Sequence, residues 1–367
     1  MKTTLKFEIA LQLLEGVGDV LAKYLVGYCG SAEAVFKQKK HALIKIPGIG
    51  PVTAEAIVNF KKHQLVEDEI SFIEKHKIRP LFYLDSDYPF RLKNYDDSPV
   101  MLYYKGDADL NNTRIISVVG TRRPTPYGKA FCDELAEKLT ASGCLIISGL
   151  AHGIDTHIHK AAIKNTIPTV GVLGHGLGMI YPAANKLLAK EMIGNGGLLT
   201  EFMNSSASGP ENFPKRNRIV AGICDALVVV ESAVTGGSLI TAEIANSYNK
   251  DVYALPGRTT DLYSQGCNRL VQQNKAAIIE TVEGLLKEIG WNEETGKEKK
   301  SAQKELFINL SEKEKQLVDY LSTGTKGIDD IHYGTGIGVS QLAMLLLDLE
   351  FKGLISTMPG KMYGLCR

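Results

Sequence analysis

The sequence predicts an α/β protein in which a parallel, doubly wound sheet lies between a helical N-terminal domain and a small C-terminal domain. Three observations carry this. Between residues 115 and 255, short Val- and Ile-rich runs alternate with helical patterns, as they do where parallel strands are joined by crossover helices. The first 68 residues read as helical throughout and hold a glycine-punctuated near-repeat. A polar, charge-dense stretch at 291–305 then precedes three helical patterns and two short strand patterns. At about 150 residues per domain, 367 residues make two to three units.

Taken in order, the near-repeat comes first. Leu14-Glu15-Gly16-Val17-Gly18 precedes a helix carrying Ala22 and Leu25; Ile46-Pro47-Gly48-Ile49-Gly50 precedes one carrying Ala54 and Ile57. The pattern resembles a tandem helix-hairpin-helix over residues 1–68. Its glycines permit tight turns, and the amides opening each second helix either take a phosphate or serve the turn alone. Residues 69–110 form a connector with a strand at 101–104 and no legible chemistry. Strands are expected at 115–119, 145–147, 169–173, 226–230 and 252–255, with helices around 128–141, 156–165, 183–194 and 239–248. Sheets of this kind bind ligands at the carboxyl ends of their strands. The core thus spans 69–290 and the linker 291–305. At 306–367, helices at 317–321, 328–332 and 339–352 and strands at 354–357 and 362–365, about Pro359-Gly360, form a winged-helix pattern. Its third helix carries Ser340, Gln341, Asp348 and Glu350, with Lys352 as its one cation. A duplex-reading helix brings Arg or Lys to the phosphates, so protein contact or packing competes with DNA reading here.

Composition excludes several classes. The chain is 44% hydrophobic and 23% charged, ordinary globular material. No run approaches the roughly 18 apolar residues of a membrane span, and Met1-Lys2-Thr3-Thr4 leads into an amphipathic pattern rather than the apolar run expected of a signal peptide. Six cysteines without a C-x-x-C pair argue against a zinc site or a disulfide framework and fit reduced, cytoplasmic thiols. The net charge of +1 leaves no global pull on nucleic acid. Residues 1–68 are net +2, with nine Lys against seven acids, and residues 69–290 carry 23 charges of each sign. Any polyanion must be held by a local patch.

Three segments could form one. The first strand ends in Gly120-Thr121-Arg122-Arg123-Pro124, which lacks the G-x-G-x-x-G of a dinucleotide fold but suits one phosphate, held by amides and a guanidinium. A surface arginine in an ordinary turn is the plainer alternative. Phe213-Pro214-Lys215-Arg216-Asn217-Arg218 sets three cations within four residues behind an aromatic. Phe213 can stack on an unpaired base while the cations follow its phosphates, and the apolar 219–221 pins them beside the core. Thr235-Gly236-Gly237-Ser238 opens a helix after a strand and offers several amides to one anion. All three stand at strand ends of one sheet. By contrast, His157 and His159 are about 200° apart around a helix and cannot share a metal; Asp155 and His159 could pair on one face. Gly174-His175-Gly176-Leu177-Gly178 reads as a loop. No catalytic residue, cofactor or metal site emerges.

The set of motifs resembles the DNA-processing protein A family, DprA or Smf. The residues that carry the likeness are Val119-Gly120-Thr121-Arg122; Ser148-Gly149-Leu150-Ala151 with Gly153-Ile154-Asp155; Phe213-Pro214-x-Arg216-Asn217-Arg218-Ile219; Gly237-Ser238-Leu239-x-Thr241-Ala242; Ala254-x-Pro256-Gly257; and Ser264-x-Gly266-x-Asn268. The resemblance covers nearly the whole chain: helix-hairpin-helix front, extended Rossmann-like core, winged-helix end. It implies a non-catalytic role in natural transformation, in which a homodimer binds incoming single-stranded DNA and helps load RecA recombinase onto it. A more general recombination role stays open. By this analogy Gly120, Thr121 and Arg122 form the phosphate pocket, flanked by Phe213, Lys215, Arg216, Asn217 and Arg218, with Gly237 and Ser238 nearby. Thr121 stands where the family often has Ser or Ala, and Gly236-Gly237-Ser238 where it often has Ser-Gly-Ser; both changes keep small residues.

Two rivals are weighed against this. Nucleotide 5'-monophosphate phosphoribohydrolases on a related sheet carry P-G-G-x-G-T-x-x-E. Gly236, Gly237 and Glu243 fit that motif, but Thr235, Leu239 and Ile240 replace its Pro, third Gly and Thr. Leu239 keeps the backbone from approaching a ligand as glycine would. A protein-bridging scaffold would suit the neutral charge, but it leaves the cations of 215–218 without purpose.

Overall fold

In the computed structural model the described residues are 4–206, 209–291, 310–322, 324, 326–352, 354–358 and 362–365. The chain forms two compact units, Met1–Glu293 and Glu294–Arg367. Among the described residues, no helix is long and apolar enough to cross a membrane.

The first unit opens with helices α1 (Leu5–Gln12), α2 (Asp19–Cys29), α3 (Ala32–Lys37), α4 (Lys40–Leu43), α5 (Pro51–Val58) and α6 (His63–His76). The near-repeat sets the turns before α2 and α5. Gly16 and Gly48 have φ of +75° and +82°, which only glycine adopts readily, and Gly18 and Gly50 cap the helices that follow. Ala22, Leu25, Ala54 and Ile57 are buried in one core with Met101 and Tyr103 of the sheet. Helix α6 runs through residue 68, where the sequence placed a domain boundary.

Strands β1 (Arg79–Phe82), β2 (Met101–Gly106), β3 (Ile115–Gly120), β4 (Leu145–Ser148), β5 (Thr169–Val172), β6 (Gly196–Thr200), β7 (Ala226–Val230), β8 (Asp251–Ala254) and β9 (Ala277–Ile278) form one sheet. Its order is β1-β2-β6-β5-β4-β3-β7-β8-β9. The run from β6 to β9 is parallel, while β2 joins β6 antiparallel and β1 joins β2 antiparallel. Side chains alternate between faces. Ile116, Val118, Val228 and Val230 pack under α7 (Pro126–Leu139), α8 (Ile154–Lys164) and α13 (Val282–Glu288). Val119, Leu227 and Val229 face α10 (Asn212–Gly222), α11 (Gly237–Ser247) and α12 (Gln265–Gln272). Helix α9 (Lys186–Gly194) covers β5 and β6. Because β3 leads to β4 on one side and lies beside β7 on the other, the strand order reverses there and opens a crevice at their carboxyl ends.

Two expectations are corrected. The basic segment read as a compact cluster is the first part of α10, because Pro214 falls in the first turn, where no intrahelical amide is needed. Trp291, expected to open the linker, is 7% exposed and packs in the core with Leu285 and Leu286. The rest of that linker is outside the described residues, as are Pro359-Gly360 and Cys366.

The second unit comprises α14 (Glu312–Leu321), β10 (Lys326–Gly327), α15 (Ile328–Thr335), α16 (Val339–Phe351), β11 (Ile355–Met358) and β12 (Met362–Leu365). The antiparallel order β10-β12-β11 and a core of Leu317, Ile331, Leu342, Leu346 and Leu349 make a winged helix. Lys352, at the end of α16, is bound by Glu314 at 2.5 Å and Asp348 at 2.6 Å. It is therefore engaged inside its own unit.

Candidate functional site

A cavity of about 330 Å³ occupies the crevice at the ends of β3 and β7. Of the residues singled out in the sequence, Gly120, Thr121, Arg122, Phe213, Arg216, Asn217, Gly237 and Ser238 line it; Lys215 and Arg218 do not. Helical geometry explains the split. At about 100° per residue, 213, 216, 217 and 220 share one face of α10, while 215 and 218 turn away. Lys215 is exposed. Arg218 binds Asp19 and Glu201. The three cations of that segment are therefore not a cluster.

The 120–125 loop is held at both ends by Glu231. Its carbonyl accepts from Thr121 N at 2.7 Å, and its carboxylate accepts from Thr125 N at 2.9 Å and binds the Thr125 hydroxyl. Gly128 lies so close that any Cβ there would strike that carboxylate. Gly153, with φ of +86°, lets the backbone of 121–122 rest on the start of α8, and Ile154 N donates to Thr121 O at 3.1 Å. Arg122 and Arg123 are left exposed on a fixed loop.

Beneath them Arg216 is 6% exposed, and its Nη1 donates to the carbonyls of Gly149 and Val172. Nε donates to Asn217 Oδ1 at 3.2 Å. Burial lowers the Arg216 pKa, Asp155 works against that, and Arg122 adds to the lowering. Burial raises the Asp155 carboxyl, against the pull of Arg216. These two groups offset one another under the floor, and the exposed charge facing the cavity is that of Arg122 and Arg123. On the opposite wall, the first amides of α11, at Gly237 and Ser238, have no intrahelical acceptor. Ser238 Oγ donates to Ser232 Oγ at 2.8 Å. The site combines exposed guanidinium, free helix amides and the half-buried Phe213, which suits a phosphate with an aromatic base attached.

Sequence reasoning missed Ser232, which lines the cavity, and several residues that stand beside it. Tyr181 stands 6.2 Å from Phe213, ring to ring, and its amide donates to Nε2 of the buried His175, whose Nδ1 therefore donates to Gly176 O. The glycine-rich 174–178 loop is thus a support for a second aromatic. Glu231 and Ser232 follow a strand with no motif to mark them. The Asp155–His159 pair that the spacing permits does not form: His159 binds Thr169 Oγ1 at 2.7 Å and Asp155 accepts from Ala151 N, while His157 meets Asp133. Glu243 lines a neighbouring groove and is paired with Lys275 at 2.6 Å.

The model of the DNA recombination-mediator protein A family matches residues 79–290, more than half of the chain. The chain belongs to that family. The DprA winged helix domain matches 300–361, and a SAM-like helix-hairpin-helix tandem matches 7–60. Protein Smf of Synechocystis sp. is 31% identical over 97% of both chains. The X-ray structure of DprA from Streptococcus pneumoniae superposes with a TM-score of 0.68 at 31% identity, covering 78% of this chain and 99% of that one. A DprA structure from Helicobacter pylori, described for its single-stranded DNA binding mode, gives a TM-score of 0.53 at 28% identity over 58% and 95% of the two chains. The two superpositions support the mixed α/β fold described above.

Proposed function

We propose that this chain binds single-stranded DNA in the β3–β7 crevice, shields it, and loads RecA onto it during uptake or recombination, with no catalytic step of its own. The observation that carries the reading is the convergence of Arg122, the α11 amides and Phe213 on one cavity. A phosphate between Arg122 and Gly237–Ser238 places its base within reach of Phe213, an arrangement open to any base because every base has a π-face. The single-stranded DNA binding named for the Helicobacter pylori relative supports it. RecA as recipient, and a homodimer as the acting form, are part of the same proposal and come from the family.

The hydrolase alternative is disfavoured by Glu243, the acid its motif would need, which is tied to Lys275 in another groove. Fluorescence anisotropy with labelled oligo-dT and its duplex across a salt series tests the reading. Tight strand binding that falls steeply with salt is expected. Arg122→Ala weakens it without lowering Tm, and Phe213→Ala costs about 1–3 kcal/mol. No strand binding at low salt overturns the proposal and turns attention to nucleotide monophosphate hydrolysis. RecA assembly on the strand should quicken with the wild-type protein and not with Arg122→Ala.

A further inference from the structure

Beside the crevice lies a second hollow of about 450 Å³, between the first turn of α7 and the exposed stripe of α8, and Arg122 belongs to both. Its charged lining is Arg122, Lys129 and Lys160, with the imidazoles of His152 and His157; no carboxylate lines it. The acid at its edge is Asp133, which binds His157 Nε2 at 3.1 Å.

The floor is built from groups that satisfy one another. Asn185, 3% exposed, donates from Nδ2 to Leu150 O at 2.9 Å and to Thr156 Oγ1 at 2.8 Å, and Thr156 Oγ1 donates to Ala151 O at 2.6 Å. Lys129 and Lys160 are exposed and make no ion pair among the described residues, whereas Lys138 farther along α7 is bound to Glu283 at 2.7 Å. Three like charges facing one hollow repel unless an anion enters. Gly153 fixes the Arg122 backbone against the start of α8, so the guanidinium stands between the two cavities.

We propose that this hollow takes a further phosphodiester of the same single strand, which leaves the crevice over Arg122 and continues along α8 toward Lys160. This rests on the single-strand reading above. The test is anisotropy over an oligo-dT series from about 4 to 16 nucleotides, with the wild type, Arg122→Ala and the double variant Lys129→Ala/Lys160→Ala. The double variant, with unchanged Tm, is expected to match the wild type on the shortest strands and to fall roughly tenfold behind on longer ones. Its salt slope on the longer strands should be shallower by about 0.7 per phosphate lost. Wild-type affinity and slope at every length would overturn the second subsite, as would an equal loss at all lengths. Arg122→Ala should lose affinity at every length. If the wild type binds none of the series, the single-strand reading itself falls, and this one with it.

Discussion

Arg218 of α10 donates from Nη2 to Asp19 Oδ2 at 3.0 Å and so ties the sheet core to the second helix of the N-terminal domain. The same nitrogen meets Glu201 Oε2 at 2.5 Å. Around this contact Asp19 Oδ1 accepts from Val100 N at 2.8 Å, and Lys23 Nζ donates to Ser98 Oγ at 2.6 Å. The seam is polar but largely closed to water, and the Arg218 side chain is only 12% exposed.

Replacing Arg218 by Ala should therefore act on stability and not on DNA binding. Losing one member of a buried charge group leaves the others uncompensated, at a cost of about 3–5 kcal/mol. Urea unfolding reads the loss, and anisotropy on the folded protein should give a wild-type Kd for oligo-dT. Normal stability with lost binding would return Arg218 to the proposed nucleic-acid site.

Glu201 gives the same seam a pH dependence. Burial pushes its carboxyl up to about 7; Arg218 opposes this and Asp19 adds to it. Because the folded pKa lies above the unfolded one, this group's contribution is complete below about pH 4.5 and is lost as pH rises through about 7. Glu201→Gln removes the titration. The variant should thus gain Tm relative to wild type between pH 5 and pH 8, and a relative loss would mean that the Arg218 pair outweighs burial.

The legible parts of this molecule are those whose determinants are local. Strands β3, β4 and β7 are buried on both faces and read as continuous apolar runs, and the paired glycines before α2 and α5 announce their own turns. Strand β6 has no such signal. It opens Gly196-Gly197 because Tyr104, far away in sequence, fills the space where a Cβ of Gly197 would lie. The same holds within the site. The cavity-lining residues Gly120, Arg122 and Gly237 carry motifs, whereas Asp19, one of the two acids that Arg218 binds, lies 199 positions away and nothing near either residue marks it. A run of cations shows charge, and only the helix phase shows which of them face the cavity.

Gly149 is the close neighbour that lets Arg216 lie flat under the crevice: a Cβ there would overlap the guanidinium. Gly149→Ala should push Arg216 off the Gly149 and Val172 carbonyls, at about 1–3 kcal/mol for the forced shift. Affinity for oligo-dT should fall with it, since the floor under Arg122 moves. Thermal melts and anisotropy on the same preparation separate the two effects. An unchanged Tm would mean that the arginine has room to move.

Glu231 offers a test in which two physical effects have opposite signs. It is an acid beside the proposed phosphate site, so as a charge alone it repels such a ligand, and its removal would tighten binding. As a brace it holds Thr121 through its carbonyl and Thr125 through its carboxylate, and φ of +56° marks the strain at which it is kept. The loop between these two points carries Arg122 and Arg123. Glu231→Ala leaves the carbonyl contact but frees Thr125 and the N-terminus of α7, so Arg122 is no longer fixed over the cavity. The bracing effect should win. Affinity for oligo-dT is expected to fall several-fold although the site has become more positive, and the wild-type salt slope should persist because no cation was removed. Glu231→Gln, which keeps a carbonyl acceptor for Thr125 N, should fall between the two. Tighter binding by both variants would reduce Glu231 to a neighbouring charge.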